Sequence, residues 1–141
     1  MWKRSIFTAM WLILWGASLM LPVAITGHTQ NDVWLGHEIL TIGWLGMLQG
    51  QFGWFANIAF FLVLLLPILS RRGATSAYVS SACLAVLAAD ALLWHDIYLD
   101  SGVKLIQSFG AGYYAWLAAM FGAAGSLVFW TFGGRNGRGR G

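Results

Sequence analysis

Charge is scarce in this chain. Aspartate, glutamate, lysine and arginine together make up 9% of its 141 residues, against 59% hydrophobic and 16% aromatic. Soluble domains average about 25% charged, so this composition does not build a water-exposed surface, and the chain is expected in a lipid bilayer. Cysteine is nearly absent. The single Cys83 falls in an apolar stretch, which excludes an intramolecular disulfide, a CxxC redox pair and a cysteine-based zinc site. Four-helix membrane oxidoreductases that handle disulfides are thereby excluded. No histidine lies inside an apolar run, so haem cannot be held between helices. The run 5–25 also lacks an acid, which small multidrug exporters of similar length carry in their first span.

What is present is a series of apolar runs. The expected fold class is all-α, a polytopic membrane protein with four transmembrane helices and an interfacial or re-entrant helix before the second. About 20 apolar residues are needed per crossing, and the runs 5–25, 52–70, 74–94 and 110–132 supply them. A cleavable signal peptide is the alternative for the first run, but its apolar core is long for one and no small-x-small site follows Pro22. The segment 39–50 is apolar but too short to cross and return, which predicts the interfacial or re-entrant helix. Residues 1–132 then form one domain, and 133–141, GGRNGRGRG, read as a flexible basic tail. The halves show no residue-level repeat.

Orientation follows from the cations. Lys3, Arg4, Arg71, Arg72, Arg135, Arg138 and Arg140 fall on one side of a four-span arrangement and only Lys104 on the other. The positive-inside rule therefore puts both termini in the cytoplasm. In a bacterium this means the inner membrane with the two longer loops facing the periplasm. The net charge of +3 is explained by these flanks, so no nucleic-acid partner is expected.

The polar and aromatic residues gather on the outer side. Residues 43–57, GWLGMLQGQFGWFAN, open the second run. Gly36, Gly43 and Gly50 are seven apart, as are Gly46 and Gly53: either a smooth helical strip for close packing or a break between two helices. Trp34, Trp44, Trp54, Trp94, Tyr98, Tyr113, Tyr114 and Trp116 map to the same side, either as an aromatic belt or as a binding surface. Asn57 and Asp90 each lie about 7 Å below the outer boundary at 1.5 Å per residue. The short turn at 71–73 makes their helices antiparallel neighbours, so the two side chains can meet. A carboxylate at that depth is either functional or interhelical glue. His28, His37, Glu38, His95 and Asp96 share the outer surface, yet no HExxH or i, i+4 histidine pair occurs, so neither a metal nor a cofactor is expected. Ala115, Ala119, Gly122 and Ser126 form a small-residue face on the last span, and Ser81, Ala85 and Ala88 one on the third. Such faces pack the bundle or a homodimer.

With GWLG, WFAN ahead of a charge-free span, and GYYAWLAA opening the last span, the chain resembles a scattered group of small bacterial four-span inner-membrane proteins of unknown function. The likeness covers residues 36–70 and 108–121 and is one of motif order. It implies that Gly43, Trp44, Trp54, Asn57, Gly112, Tyr113 and Trp116 matter, and Asp90 joins them from the argument above. The expected function is non-enzymatic: an inner-membrane protein that binds a membrane or periplasmic partner protein through its aromatic and glycine-rich outer surface. An immunity protein against a membrane-acting toxin is the sharpest version, by analogy of size and location. The alternative is a small accessory subunit of a larger membrane complex. A transporter or lipid-handling enzyme is the weakest reading, since no nucleophile with a positioned base is visible.

Overall fold

The computed structural model describes residues 2–29, 32–69, 74–99 and 102–136. Five α-helices are present among them: α1 (Trp2–Met20), α2 (Gly36–Ile42), α3 (Ala56–Leu69), α4 (Ala74–Asp90) and α5 (Ala111–Asn136). Short 3-10 segments, Gly43–Gln49, Gly53–Phe55 and Ala91–Leu93, extend three of them at one end of the bundle. Five strands complete that end: β1 (Pro22–Ile25), β2 (Val33–Leu35), β3 (Asp96–Leu99), β4 (Gly102–Leu105) and β5 (Ser108–Phe109).

The axis of the bundle is α5, which packs against α1, α4 and α3. It can take three neighbours because its inward positions are small. Ala119, Ala123 and Ala124 are buried with Phe60, Val63, Leu84, Ala88 and Met120 in the central core. Trp11 of α1 lies over Gly122, where a Cβ would collide with its ring, and the same indole donates to Ser126 Oγ at 2.9 Å. The small face of α5 is therefore filled from within the chain. α1 and α3 are bridged by rings, Trp15 stacking at 6.2 Å on Phe60 and edge-on at 4.9 Å to Phe61.

The strands correct the all-α expectation. The first apolar run does not stay helical to residue 25, because Pro22 has no N–H to donate and clashes with the preceding turn. α1 ends at Met20, and the β-branched Val23 and Ile25 enter β1 instead. β1 is the middle strand of a three-stranded antiparallel sheet in the order β2-β1-β5, pairing Ala24 with Trp34 on one side and Phe109 on the other. β3 and β4 form a separate antiparallel hairpin with Asp96 opposite Leu105. The polar loops are thus folded into a cap. Val23, Ala24, Ile39, Ala91, Ile97, Tyr113 and Leu117 form a second core beneath it.

The segment expected as one helix over 39–50 is α2 followed by the 3-10 run Gly43–Gln49, stopped by Gly50 in the left-handed conformation (φ 77°). Of the four expected spans, two helical stretches, Thr75–Leu93 and Ala111–Phe132, are long and apolar enough to cross a membrane. Ser5–Met20 and Gly53–Leu65 are apolar but shorter. α5 continues to Asn136, so residues 133–136 are helical rather than tail. Residues 137–141, Ser70 and the turn expected at 71–73 with Arg71 and Arg72, and Asp100 lie outside the described residues.

Candidate functional site

Of the eight aromatic residues expected on the outer side, Tyr113 is buried and Trp34, Trp54, Trp94, Tyr98 and Trp116 are half-buried, while Trp44 and Tyr114 are exposed. Asn57, in the first turn of α3, is buried and is the point where three segments meet. Its Oδ1 accepts the indole N–H of Trp15 at 3.0 Å and that of Trp116 at 2.9 Å, while its Nδ2 donates to the Trp54 carbonyl at 2.8 Å. One amide thereby ties α1, α3 and α5 together. An amide suits the position because it presents an acceptor with two lone pairs and a donor without a charge to desolvate.

Asp90 does not meet Asn57. Its Oδ2 accepts the backbone N–H groups of Phe52 and Gly53 at 2.6 and 2.7 Å. These N–H groups open the 3-10 turn leading into α3 and have no partner within that helix, so a carboxylate satisfies both and complements the positive helix end. The contact requires the two chains to approach closely: a Cβ on Gly53 would lie 2.9 Å from Ala91 Cβ and 3.0 Å from Ala91 N. This approach fixes the role of Gly53. Tyr113 locks the same junction from the other side, donating its hydroxyl to the Ala91 carbonyl at 2.8 Å while its ring stacks on Phe109 at 4.1 Å.

Two of the expected glycines allow close approach. At Gly43 a Cβ would sit 2.7 Å from Trp54 Cδ1, and the Trp54 indole donates to the Leu40 carbonyl at 2.8 Å. At Gly112 it would sit 2.8 Å from the carbonyl oxygens of both Leu21 and Pro22. Neither lines the cavity of about 50 Å³ that lies between α1, α2, the start of α3 and the start of α5. Trp54, Asn57, Tyr113 and Trp116 line it, so half of the expected site residues are brought together there. Trp44 is not; it projects from the 3-10 run and is 45% exposed. The lining also includes Ser18, Gly36, Ile39, Gly53 and Ala91, which the sequence reading had not placed there. A signal was available for Gly36 and Gly53, since both belong to the seven-residue glycine series. Ser18, buried in α1 and donating to the Trp15 carbonyl at 2.6 Å, had none.

The cap is pinned by polar pairs. Gln51 Nε2 donates to Asp96 Oδ1, tying the 3-10 run to β3. Lys104 Nζ lies 3.3 Å from Asp32 Oδ1 and 5.8 Å from the centre of the Trp34 ring. Hydrogen bonds from the Thr29 hydroxyl and backbone N–H, with Lys104 adding to them, hold the Asp32 carboxyl below the usual carboxylate range. His37 Nδ1 lies 3.1 Å from the Leu19 carbonyl and His95 Nδ1 2.9 Å from that of Leu93. Among the described residues no three His, Cys, Asp or Glu side chains come together as a metal-binding group.

No family model, curated protein or solved structure matches the chain.

Proposed function

We propose that this chain is a four-span, non-enzymatic protein of a bacterial inner membrane, with both termini cytoplasmic, whose periplasmic cap binds a partner protein. The observation that carries the reading is where the exposed apolar side chains lie. On every long helix they point away from the bundle: Ile6, Phe7 and Ile13 on α1, Ile58 and Leu62 on α3, Val79 and Val86 on α4, Phe121 and Phe129 on α5. Only 22% of Thr75–Leu93 and 28% of Ala111–Phe132 is buried within the chain. A helix at the core of a soluble protein is mostly buried, and one at its surface carries charge; these helices do neither. With its 3-10 start, α3 gains about 6 Å and approaches the roughly 30 Å of a bilayer core.

The partner reading rests on the cap. Its rings are held by internal hydrogen bonds, so it is rigid, yet Trp44, Leu48 (62% exposed), Phe52, Leu93 (74% exposed) and Leu105 stand out from it. Exposed apolar side chains on a pinned polar cap are what an interaction surface presents. The hydroxyl and amide groups around the cavity are already engaged with backbone carbonyls and indoles, which favours binding over chemistry. On the small-residue face of α5, Trp11 covers Gly122 and bonds Ser126, which supports packing within the chain over docking of a further subunit there.

The test is site-specific photo-cross-linking in native membranes, with the photoreactive residue at Trp44, Leu48 or Leu93, and at Ile13 or Phe129 as controls. Protein adducts confined to the cap positions are expected. Adducts to lipid alone at both sets of positions would refute the partner reading.

A further inference from the structure

The cavity beneath the cap can be assigned a ligand class from its size, its polarity and its mouth. Its volume of about 50 Å³ is about a third of the roughly 150 Å³ that accommodates a benzene ring in an apolar protein cavity. A ring is too large; a chain end of about two carbons fits.

The side-chain hydroxyls and the amide on its walls, with the Trp54 and Trp116 indoles, are already paired. Ser18 Oγ donates to the Trp15 carbonyl, Trp54 Nε1 to Leu40 and the Tyr113 hydroxyl to Ala91, while Asn57 is engaged through both its oxygen and its nitrogen. A polar ligand entering here would lose its hydration with little in return. An alkyl end loses nothing, and the walls it meets are ring faces and aliphatic carbon.

Five of the lining side chains are half-buried: Leu19, Leu40, Trp54, Trp94 and Trp116. Next to Leu19 on α1, and on α3 one turn along from Trp54, stand Met20 and Ile58, both exposed and apolar. A chain leaving the cavity thus stays against hydrocarbon.

We propose that this cavity holds the end of an unbranched alkyl chain, entering past Leu19, Leu40 and Trp54. The inference rests on the membrane reading above, because that reading puts acyl chains beside the rim. The chain can belong to a bilayer phospholipid or to a free fatty acid.

The test uses the full-length chain reconstituted in phosphatidylethanolamine and phosphatidylglycerol vesicles. Two probes are supplied in separate arms: palmitic acid with a terminal diazirine, and phosphatidylethanolamine carrying that same acyl chain. Adducts are mapped by mass spectrometry after irradiation. Labelling at Leu19, Leu40 or Trp54 is expected to exceed that at the lipid-facing Leu62 at least fivefold in one arm or both, and the productive arm identifies the source. Leu40→Trp, which narrows the mouth, is expected to reduce labelling at Leu19 and Trp54 at least fivefold and to leave Leu62 unchanged.

A measurement on the unaltered protein guards against misfolding of that variant. Unlabelled palmitic acid is expected to compete at least fivefold better than an acid of equal length ending in a cyclohexyl ring. Labelling of the rim no stronger than that of Leu62, or equal competition by the two acids, would overturn the proposal. Vesicle flotation separates the two levels: a chain that fails to float overturns the membrane reading as well, whereas one that floats without rim labelling overturns this inference alone.

Discussion

Replacing Asn57 by leucine tests the bundle's central tie. Leucine has the same branched arrangement of side-chain heavy atoms, though it is bulkier, and three groups lose their partner: the indole N–H groups of Trp15 and Trp116 and the carbonyl of Trp54. Interhelical hydrogen bonds in membrane proteins average about 0.6 kcal/mol, which for three gives about 2 kcal/mol. If each group is instead left unpaired away from water, at about 2 kcal/mol each, the cost approaches 6 kcal/mol. Asn57→Leu is therefore expected to destabilise by about 2–6 kcal/mol. Trp15→Phe and Trp116→Phe, each removing one donor while Asn57 keeps the other, are expected to cost no more than about 1.5 kcal/mol for the lost bond. The assay is equilibrium unfolding in mixed micelles titrated with dodecyl sulfate and followed by circular dichroism, with double variants to measure coupling. Because the indoles and the amide share one network, Trp15→Phe should cost less by at least about 0.5 kcal/mol when Asn57 is already leucine. An Asn57→Leu protein within about 0.5 kcal/mol of the original, or strictly additive double variants, would refute the argument.

Asp90→Leu removes the acceptor for the Phe52 and Gly53 N–H groups and is expected to cost about 1–2 kcal/mol in the same assay. Asp90→Asn, which keeps one oxygen, should lose less, and equal losses would count against a capping role. Gly112→Ala forces a Cβ to within 2.8 Å of two backbone carbonyl oxygens and is expected to destabilise by about 1–3 kcal/mol. Gly125→Ala, with nothing within 4 Å of its Cβ, should instead stabilise α5 by up to about 1 kcal/mol; the opposite order would refute the packing described for α5. Asp32 is held below the usual carboxylate range, so the contribution of its ion pair with Lys104 is present above that range and is lost as pH falls through it. Hydrogen exchange at residues 26–29, 32 and 33 should accelerate in acid beyond its intrinsic pH dependence. Asp32→Asn should remove that acid step, and an unchanged step would show that Asp32 does not govern that exchange.

Much of this architecture is local and was legible without coordinates. Apolar runs locate helices because hydrophobic length is a property of consecutive residues, and a rise of 1.5 Å per residue was enough to put Asn57 and Asp90 at similar depth. The end of α1 at Met20 was not legible, since the first span was expected to run through Pro22 to residue 25. The strands were not legible, because β1 acquires its structure only when Val33–Leu35 and Ser108–Phe109 arrive from distant parts of the chain to pair with it. Equal depth also said nothing about rotation. Asn57 and Asp90 are level, yet the bundle turns one towards Trp15 and Trp116 and gives the other the backbone of Phe52 and Gly53.

The residues themselves determined that this chain is apolar, helical and polarised, with its aromatic and glycine residues at one end. Tertiary structure decided that several of those residues face inward around a small cavity rather than outward. The reason is hydrogen bonding across long sequence separation: the indoles of Trp15, Trp54 and Trp116, the Asn57 amide and the Asp90 carboxylate each found a partner in another element, and no local pattern records which partner that is.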